Sequence, residues 1–406
     1  MNWKKTFAII WTGQLFSILT STTINFAIII WLSIETGSAS VLALASVFAL
    51  LPQSVIGLFS GVIIDYVNKK KIMILADVFI ALCTLVLAAM FYYGGGSIWQ
   101  IYLLLALRSI GSAFHAPALQ AAIPVLAPED QLMRISGINQ SLNSVCNIAG
   151  PALGALLISV MDISMVMLFD VAGALIACGL LLFITIPNPA GGKAKLNFVN
   201  DIKEGLKVIA RNRGILWLLF LSMVAVFFIM PISALFPLMT LKHFNGDAFM
   251  MSIVEAAWGI GMLIAGAFLG IQKRPFNKVI MLNLANLVLG VSFVLSGLLS
   301  PGYFYGFVAL TLIGGMSGVF HYSSFTVIIQ TNIEPAFLGR VFSVYMSVTI
   351  IPSVLGLLGT GFIADLIGIT NSFIIAGVVF AIIGIISFMI PSVMNLEKKP
   401  SQVAEL

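Results

Sequence analysis

Apolar runs long enough to cross a lipid bilayer follow one another along almost the whole chain, separated by short clusters of Gly, Pro, Asn and charged residues. A helix needs about 20 residues, at a rise of about 1.5 Å each, to span a hydrocarbon layer of about 30 Å. With turn residues and charges as punctuation, the pattern predicts helices near 7–34, 41–64, 72–93, 99–122, 135–160 and 165–186. A second set follows near 214–240, 248–270, 278–298, 303–328, 341–364 and 371–393. One long polar connection, from Pro187 to Gly214, divides the two sets. It opens with the helix-ending residues Pro187, Asn188, Pro189, Gly191 and Gly192. It then sets Phe198, Ile202, Leu206 and Ile209 at helical spacing opposite Asp201, Lys203, Glu204, Lys207 and Arg211, the pattern of an amphipathic helix lying on a membrane surface.

Composition excludes the soluble classes. Of 406 residues, 60% are hydrophobic and 9% charged, against about 25% charged in an average soluble protein. A membrane β-barrel alternates apolar and polar residues along each strand and does not reach this hydrophobicity. The net charge of +5 invites a nucleic-acid reading until the basic residues are placed. With the N-terminus inside, the cytoplasmic segments hold Lys4, Lys5, Lys69, Lys70, Lys71, Arg134, Lys193, Lys195, Lys203, Lys207, Arg211, Arg213, Lys273, Arg274, Lys278, Arg340, Lys398 and Lys399, which is 18 of the 20 Lys and Arg. Lys242 falls in an outer loop and Arg108 inside a span. Basic residues collect on the cytoplasmic side of membrane proteins. An even number of crossings with both termini in the cytoplasm is therefore expected, and no nucleic acid, because the charge is committed to topology. Apolar sequence from Phe7 to Ile34 is too long for a signal-peptide core and reads as an uncleaved first span.

The halves on either side of the linker look like copies. Phe114-His115 aligns with Phe320-His321 at an offset of 206, which also sets Arg134 on Arg340. Duplication of six spans preserves orientation, so the repeats would be parallel, with a transport site between them. The predicted fold is all-α: a polytopic membrane protein of 12 transmembrane helices in two pseudo-symmetric six-helix bundles, 1–186 and 214–393. A cytoplasmic linker at 187–213 joins them and a cytoplasmic tail at 394–406 follows.

Ionisable and polar residues inside spans mark candidate chemistry, because they are costly in hydrocarbon. Arg108 lies near the middle of the fourth span, and a structural ion pair with Asp77 or Asp170 is the alternative to a role in a cavity. Glu255, about 10 Å below the outer end of the eighth span by helical rise, is the first choice for proton exchange. Read as buried, it would carry a proton or hold a cationic amine. Asp77 and Asp170 are the next proton-coupling candidates. Gln14, Ser17, Ser21 and Asn25 share one face of the first span, a stripe that fits either a water-lined cavity or interhelical hydrogen bonds. Phe228 in the seventh span, and His321, Tyr322 and Phe325 in the tenth, complete the candidate cavity, since aromatic surfaces accept bulky lipophilic ligands, with lipid-facing filler as the alternative for most of the aromatic residues of these two spans. His115 and His321 otherwise read as helix-packing histidines, with proton relay as the alternative.

At the end of the second span, Gly61 permits close helix approach and Asp65 with Lys69 and Lys70 forms a candidate charge latch; Arg340, which aligns with Arg134, is grouped with the latch and hinge candidates. In the fifth span Gly150, Pro151 and Gly154 make a bendable, closely packed helix. Cys83, Cys146 and Cys178 have no CxxC spacing and no companion His cluster, so no metal and no disulfide frame is expected. Gly191-Gly192-Lys193-Ala194 does not satisfy the phosphate-binding G-x-x-x-x-G-K-[ST] pattern. No cofactor is expected, and energy would come from a gradient.

Several of these segments carry a resemblance. Gly61-Val-Ile-Ile-Asp65-Tyr66-Val67-Asn68-Lys69-Lys70-Lys71 is similar to the loop motif G-x-x-x-D-R-x-G-R/K-R/K of the major facilitator superfamily, with departures at Tyr66 and Asn68. Arg108 resembles the superfamily's fourth-helix arginine, with Gly111 where Gln is common. Gly150-Pro151-Ala152-Leu153-Gly154 is similar to the GPxxG motif of its antiporters. Trp11-Thr12-Gly13-Gln14, Arg108 through Ala118, and Gln330 through Val341 extend the resemblance to the drug:proton antiporter-3 branch, and within it to Mef-type macrolide efflux proteins.

The resemblance implies a monomeric secondary exporter in a bacterial inner membrane, not an enzyme. It would exchange protons for lipophilic, weakly basic drugs, macrolides above all, by alternating access. Export of another lipophilic compound such as a siderophore, or proton-coupled nutrient import, stays open.

Overall fold

The computed structural model describes residues 3–36, 39–94, 96–187, 198–272 and 276–397. The expected linker opening at 188–197, Lys273, Arg274 and the tail from 398 onward lie outside the described residues, as do the side chains of Phe198, Asp201 and Ile202.

Every regular element among the described residues is helical, as hydrocarbon demands of a spanning chain that must satisfy its own backbone. The helices are α1 (Trp3–Thr36), α2 (Ala39–Tyr66), α3 (Lys69–Tyr92), α4 (Ile98–Leu126), α5 (Leu132–Val160), α6 (Ile163–Leu182), α7 (Phe198–Arg211), α8 (Arg213–Leu238), α9 (Ala248–Ile271), α10 (Lys278–Leu298), α11 (Phe304–Asn332), α12 (Leu338–Ile367), α13 (Ile369–Met389) and the short α14 (Pro391–Met394). All except α7 and α14 have 20 residues or more. By length and composition, 10 stretches among the described residues suit a bilayer crossing, or up to 11 if the bent α2 is one span.

Asparagine and aspartate start several of these helices by accepting from the third backbone N–H, the usual N-cap bond. Asn68 accepts from Lys71, Asn212 from Ile215, Asp247 from Met250 and Asn277 from Ile280, at 2.8–3.2 Å. Gly368, at φ +89°, makes the break between α12 and α13 that a residue with a Cβ would resist. After α8 the chain continues as one π-helical segment, Met239–His243.

The chain divides into two compact units. The first comprises 1–128, 145–205 and 334–347, the second 129–144, 206–333 and 348–406. Within the first, α1 packs on α6, α2 on α4, and α3 on both α4 and α6; within the second, α8 packs on α13, α9 on α11, and α10 on both α11 and α13. Counted from each half's own first span, the touching pairs are the same.

Water drives no association between membrane helices, so contact depends on close dispersion packing. The α10–α13 seam illustrates it: a Cβ on Gly290 would stand 2.6 Å from the Gly377 carbonyl, and one on Gly377 2.5 Å from the Gly290 carbonyl. The second unit also builds an aromatic core, with the Phe236 ring 5.2–6.3 Å from those of Trp258, Phe293, Phe307 and Phe373. Each such pair adds about 0.5–1.5 kcal/mol beyond its buried area. The core of the first unit is mainly aliphatic, with Ile24, Ile28, Leu32, Leu87 and Leu105 packed beside Tyr102.

Candidate functional site

Four helices of the first unit converge on one ion pair. Arg108 of α4 meets Asp170 of α6 at 2.6 Å, with side chains only 6% and 3% exposed. The carboxylate also accepts from Ser21 at 2.7 Å and Thr20 at 3.4 Å on α1, and from Thr84 at 2.8 Å on α3. The guanidinium reaches Asn25 Oδ1 at 3.4 Å and Thr84 Oγ1. Desolvation is offset here by charge-assisted bonds that fill the carboxylate's acceptor positions. Of the two partners expected for Arg108, the structure selects Asp170. Thr20 and Thr84 went unremarked in the sequence, although Thr84 lies seven positions beyond Asp77, on the same face of α3.

Toward the C-terminal end of α4 lies a smaller cluster. His115 Nε2 stands 3.5 Å from Asp77 Oδ1 and 3.4 Å from Gln14 Nε2. Asp77 is buried and its Oδ2 has no hydrogen-bond partner. Three members of the first-span stripe, Gln14, Ser21 and Asn25, thus meet polar groups of α4 and α6.

In the second unit Glu255 borders a cavity of about 140 Å³ together with Ile229, Ser233, Phe236, Val254, Trp258 and Thr311. The expectation of a buried carboxylate is corrected: Glu255 is exposed, because depth along a span does not fix which side of the helix a residue faces. Phe228 borders a separate apolar cavity of about 80 Å³ with Phe227, Pro231, Leu235 and Ala376. His321 Nδ1 lies 2.8 Å from Asn286 Oδ1, and its ring stacks on the buried Phe325, while Tyr322 is half-buried.

Asp65 serves as an N-cap supplied from a distance. Its oxygens accept from the backbone N–H groups of Gly339 (2.9 Å) and Arg340 (3.2 Å) in the first turn of α12, where the helix dipole favours an anion. Arg340 Nε lies 3.3 Å from the same carboxylate and its NH1 3.2 Å from Glu204 of α7. The guanidinium sits over the rings of Tyr66 and Phe337, at 5.3 and 5.2 Å. Gly61 admits this approach, since a Cβ there would stand 2.6 Å from the Gly339 carbonyl. Lys69 is buried close enough for its charge to act on Asp65. Lys70, expected in the latch, instead donates to the Leu182 and Ile184 carbonyls at 3.0 and 2.7 Å, closing the C-terminus of α6.

On α5, Gly150 and Gly154 let α1 pass closely: their Cβ positions would fall 2.7 Å from Thr22 Oγ1 and 2.8 Å from the Thr23 carbonyl. Pro151 lies inside the same helix.

A family model described as transmembrane secretion effector matches residues 3–405. The chain belongs to this family of the major facilitator superfamily. Macrolide efflux protein A of Streptococcus pyogenes is 38% identical over 400 residues, covering 98% of this chain and 99% of that one. The protein of the same name from Enterococcus faecalis is 38% identical over 323 residues, covering 79% and 100%. The fold is that of the Escherichia coli fucose:proton symporter, with a TM-score of 0.78 at 16% identity, covering 96% of this chain and 99% of that structure. This is a multi-pass membrane transporter and not an enzyme.

Proposed function

We propose that this transporter exports lipophilic, weakly basic drugs, macrolide antibiotics first among them, in exchange for protons. It would work as a monomer by alternating access in a bacterial inner membrane, with both termini in the cytoplasm. The observation that carries the substrate class is the cavity at Glu255, a single carboxylate in a wall otherwise dominated by Ile229, Phe236, Val254 and Trp258. Its volume suits an amine-bearing substituent, with the body of the drug lying beyond it. An apolar wall gains from covering hydrocarbon, and an ionised carboxylate gains from an ammonium group. A sugar would leave unpaired polar groups against that wall. The similarity to proteins named for macrolide efflux supports the same reading.

In this scheme a cationic drug and a proton compete for Glu255, so loading one releases the other. Asp170, its oxygens taken by Arg108 and three hydroxyls, anchors the first unit. Asp65, Lys69 and Arg340 hold α2 to the start of α12, and Gly150, Pro151 and Gly154 let α5 flex against α1. A susceptibility screen over many compounds, with the protein expressed in a pump-deficient cell, tests the substrate class. Protection against macrolides is expected, and its loss in Glu255→Gln at equal membrane abundance. Protection against no lipophilic base, with accumulation of a sugar or acid instead, overturns the proposal.

A further inference from the structure

The two units contain the same histidine pair in two chemical versions. Asp77 is the ninth residue of α3 and Asn286 the ninth of α10; His115 is the eighteenth of α4 and His321 the eighteenth of α11. In each unit the two helices pack together and the two side chains meet, at 3.5 Å for His115–Asp77 and 2.8 Å for His321–Asn286.

The second version is fixed. A side-chain amide oxygen only accepts, so the facing His321 Nδ1 carries its hydrogen as a donor, and the amide itself does not titrate in the working range. The first version is different in kind. His115 Nε2 lies between a donor, the Gln14 amide nitrogen at 3.4 Å, and an acceptor, Asp77 Oδ1 at 3.5 Å. Unprotonated, that nitrogen accepts from Gln14; protonated, it donates to Asp77. The other carboxylate oxygen, Asp77 Oδ2, is buried with no partner, a position that accommodates a proton.

From this paired geometry we propose that Asp77 and His115 form a proton-binding site separate from Glu255, with occupancy read by Gln14 of α1, and that the His321–Asn286 pair is its non-titrating counterpart. The proposal rests on the proton-coupled reading above and adds a second place where a proton is held. The groups facing Asp77 are His115 on α4, and Asp170 and Cys178 on α6, with Gln14 on α1 reaching it through His115. The remaining neighbour, α2, carries no titratable side chain between its outer end and Asp65. A proton here weakens the Gln14–His115 contact. Because α1 also carries Thr20, Ser21 and Asn25 on the Arg108–Asp170 pair, the proton acts on the helix that ties the first unit's two polar clusters together.

The test uses Asp77→Asn, which gives the first pair the side chains already accommodated in the second, so the fold has a precedent for it. In the purified full chain, infrared difference spectra across a pH jump should contain a protonated-carboxyl band that Asp77→Asn removes and that His115→Asn shifts. In vesicles loaded with a pH-sensitive dye, erythromycin-driven proton movement should be lost in Asp77→Asn, while erythromycin binding at alkaline pH is retained. A carboxyl band and proton movement both unchanged by Asp77→Asn overturn the site. Wild-type vesicles that move no protons with erythromycin overturn the proton-coupled reading instead, and the infrared band still decides whether Asp77 takes a proton.

Discussion

Replacing Asp170 with Asn keeps the side chain's shape but leaves Arg108 buried without its counter-ion. At an effective dielectric of about 20, unit charges at the observed 2.6 Å attract by about 6 kcal/mol before desolvation is counted. Measured losses on breaking buried pairs are smaller, about 3–5 kcal/mol, because the orphaned charge relaxes toward whatever polar groups remain; here those are Thr84 and Asn25. For a unit of about 200 residues, each kcal/mol lowers the unfolding midpoint by about 2–4 °C, so Asp170→Asn should lose about 6–20 °C. The protein supplies its own reporter: Cys83 and Cys146 are buried and Cys178 is half-buried, all three as free thiols. A thiol-reactive dye in detergent therefore follows unfolding on heating. The double variant Arg108→Met with Asp170→Leu removes both charges and should recover most of the loss, since the penalty comes from the unpaired partner. An Asp170→Asn midpoint matching the wild type, or a double variant worse than the single, would refute the reasoning.

The same dye assay reads three other substitutions. Asp65→Ala removes the cap on α12 together with a counter-ion of Arg340, and should cost about 1–3 kcal/mol. By contrast Glu204→Gln, whose side chain is 57% exposed, should stay within about 1 kcal/mol of the wild type; equal effects of the two would contradict the assignment of Asp65 as the main anchor. Gly150→Val forces two methyl groups against Thr22 and should lose about 1–3 kcal/mol, recovered in part by Thr22→Ala. Lys70→Met removes the donor to the α6 carbonyls and should cost about 0.3–1 kcal/mol without weakening the Asp65 cap.

Hydropathy made the apolar elements legible because hydrocarbon accepts only a continuous helix of sufficient length. It reads the layer's edges, however, and not the helix ends. The stretch expected at 303–328 runs to Asn332, and the one expected at 371–393 ends at Met389, because Pro391 has no N–H to continue it. The π-helical turn after α8 has no hydropathy signature and went unseen. For the site, polarity inside apolar runs pointed to Arg108, Asp77, Asp170 and the first-span stripe, since such residues are expensive there. Pairing them across helices was another matter. Depth held the missing clue: under the expected topology Arg108 and Asp170 both lie within eleven residues of helix ends on one side of the layer, whereas Asp77 enters from a helix end on the other. No spacing rule joins Asp65 to Arg340, 275 positions later, so although Arg340 stands among the latch candidates, sequence alone pairs Asp65 with Lys69 and Lys70, the basic residues next to it.

Proton uptake by reconstituted vesicles, followed as erythromycin is expelled down an imposed pH gradient, tests drug–proton exchange most directly. Each drug molecule's exit should accelerate proton entry, with both fluxes abolished together in Glu255→Gln. Drug leaving at an unchanged rate after the gradient is collapsed, or proton entry indifferent to the drug, would contradict it.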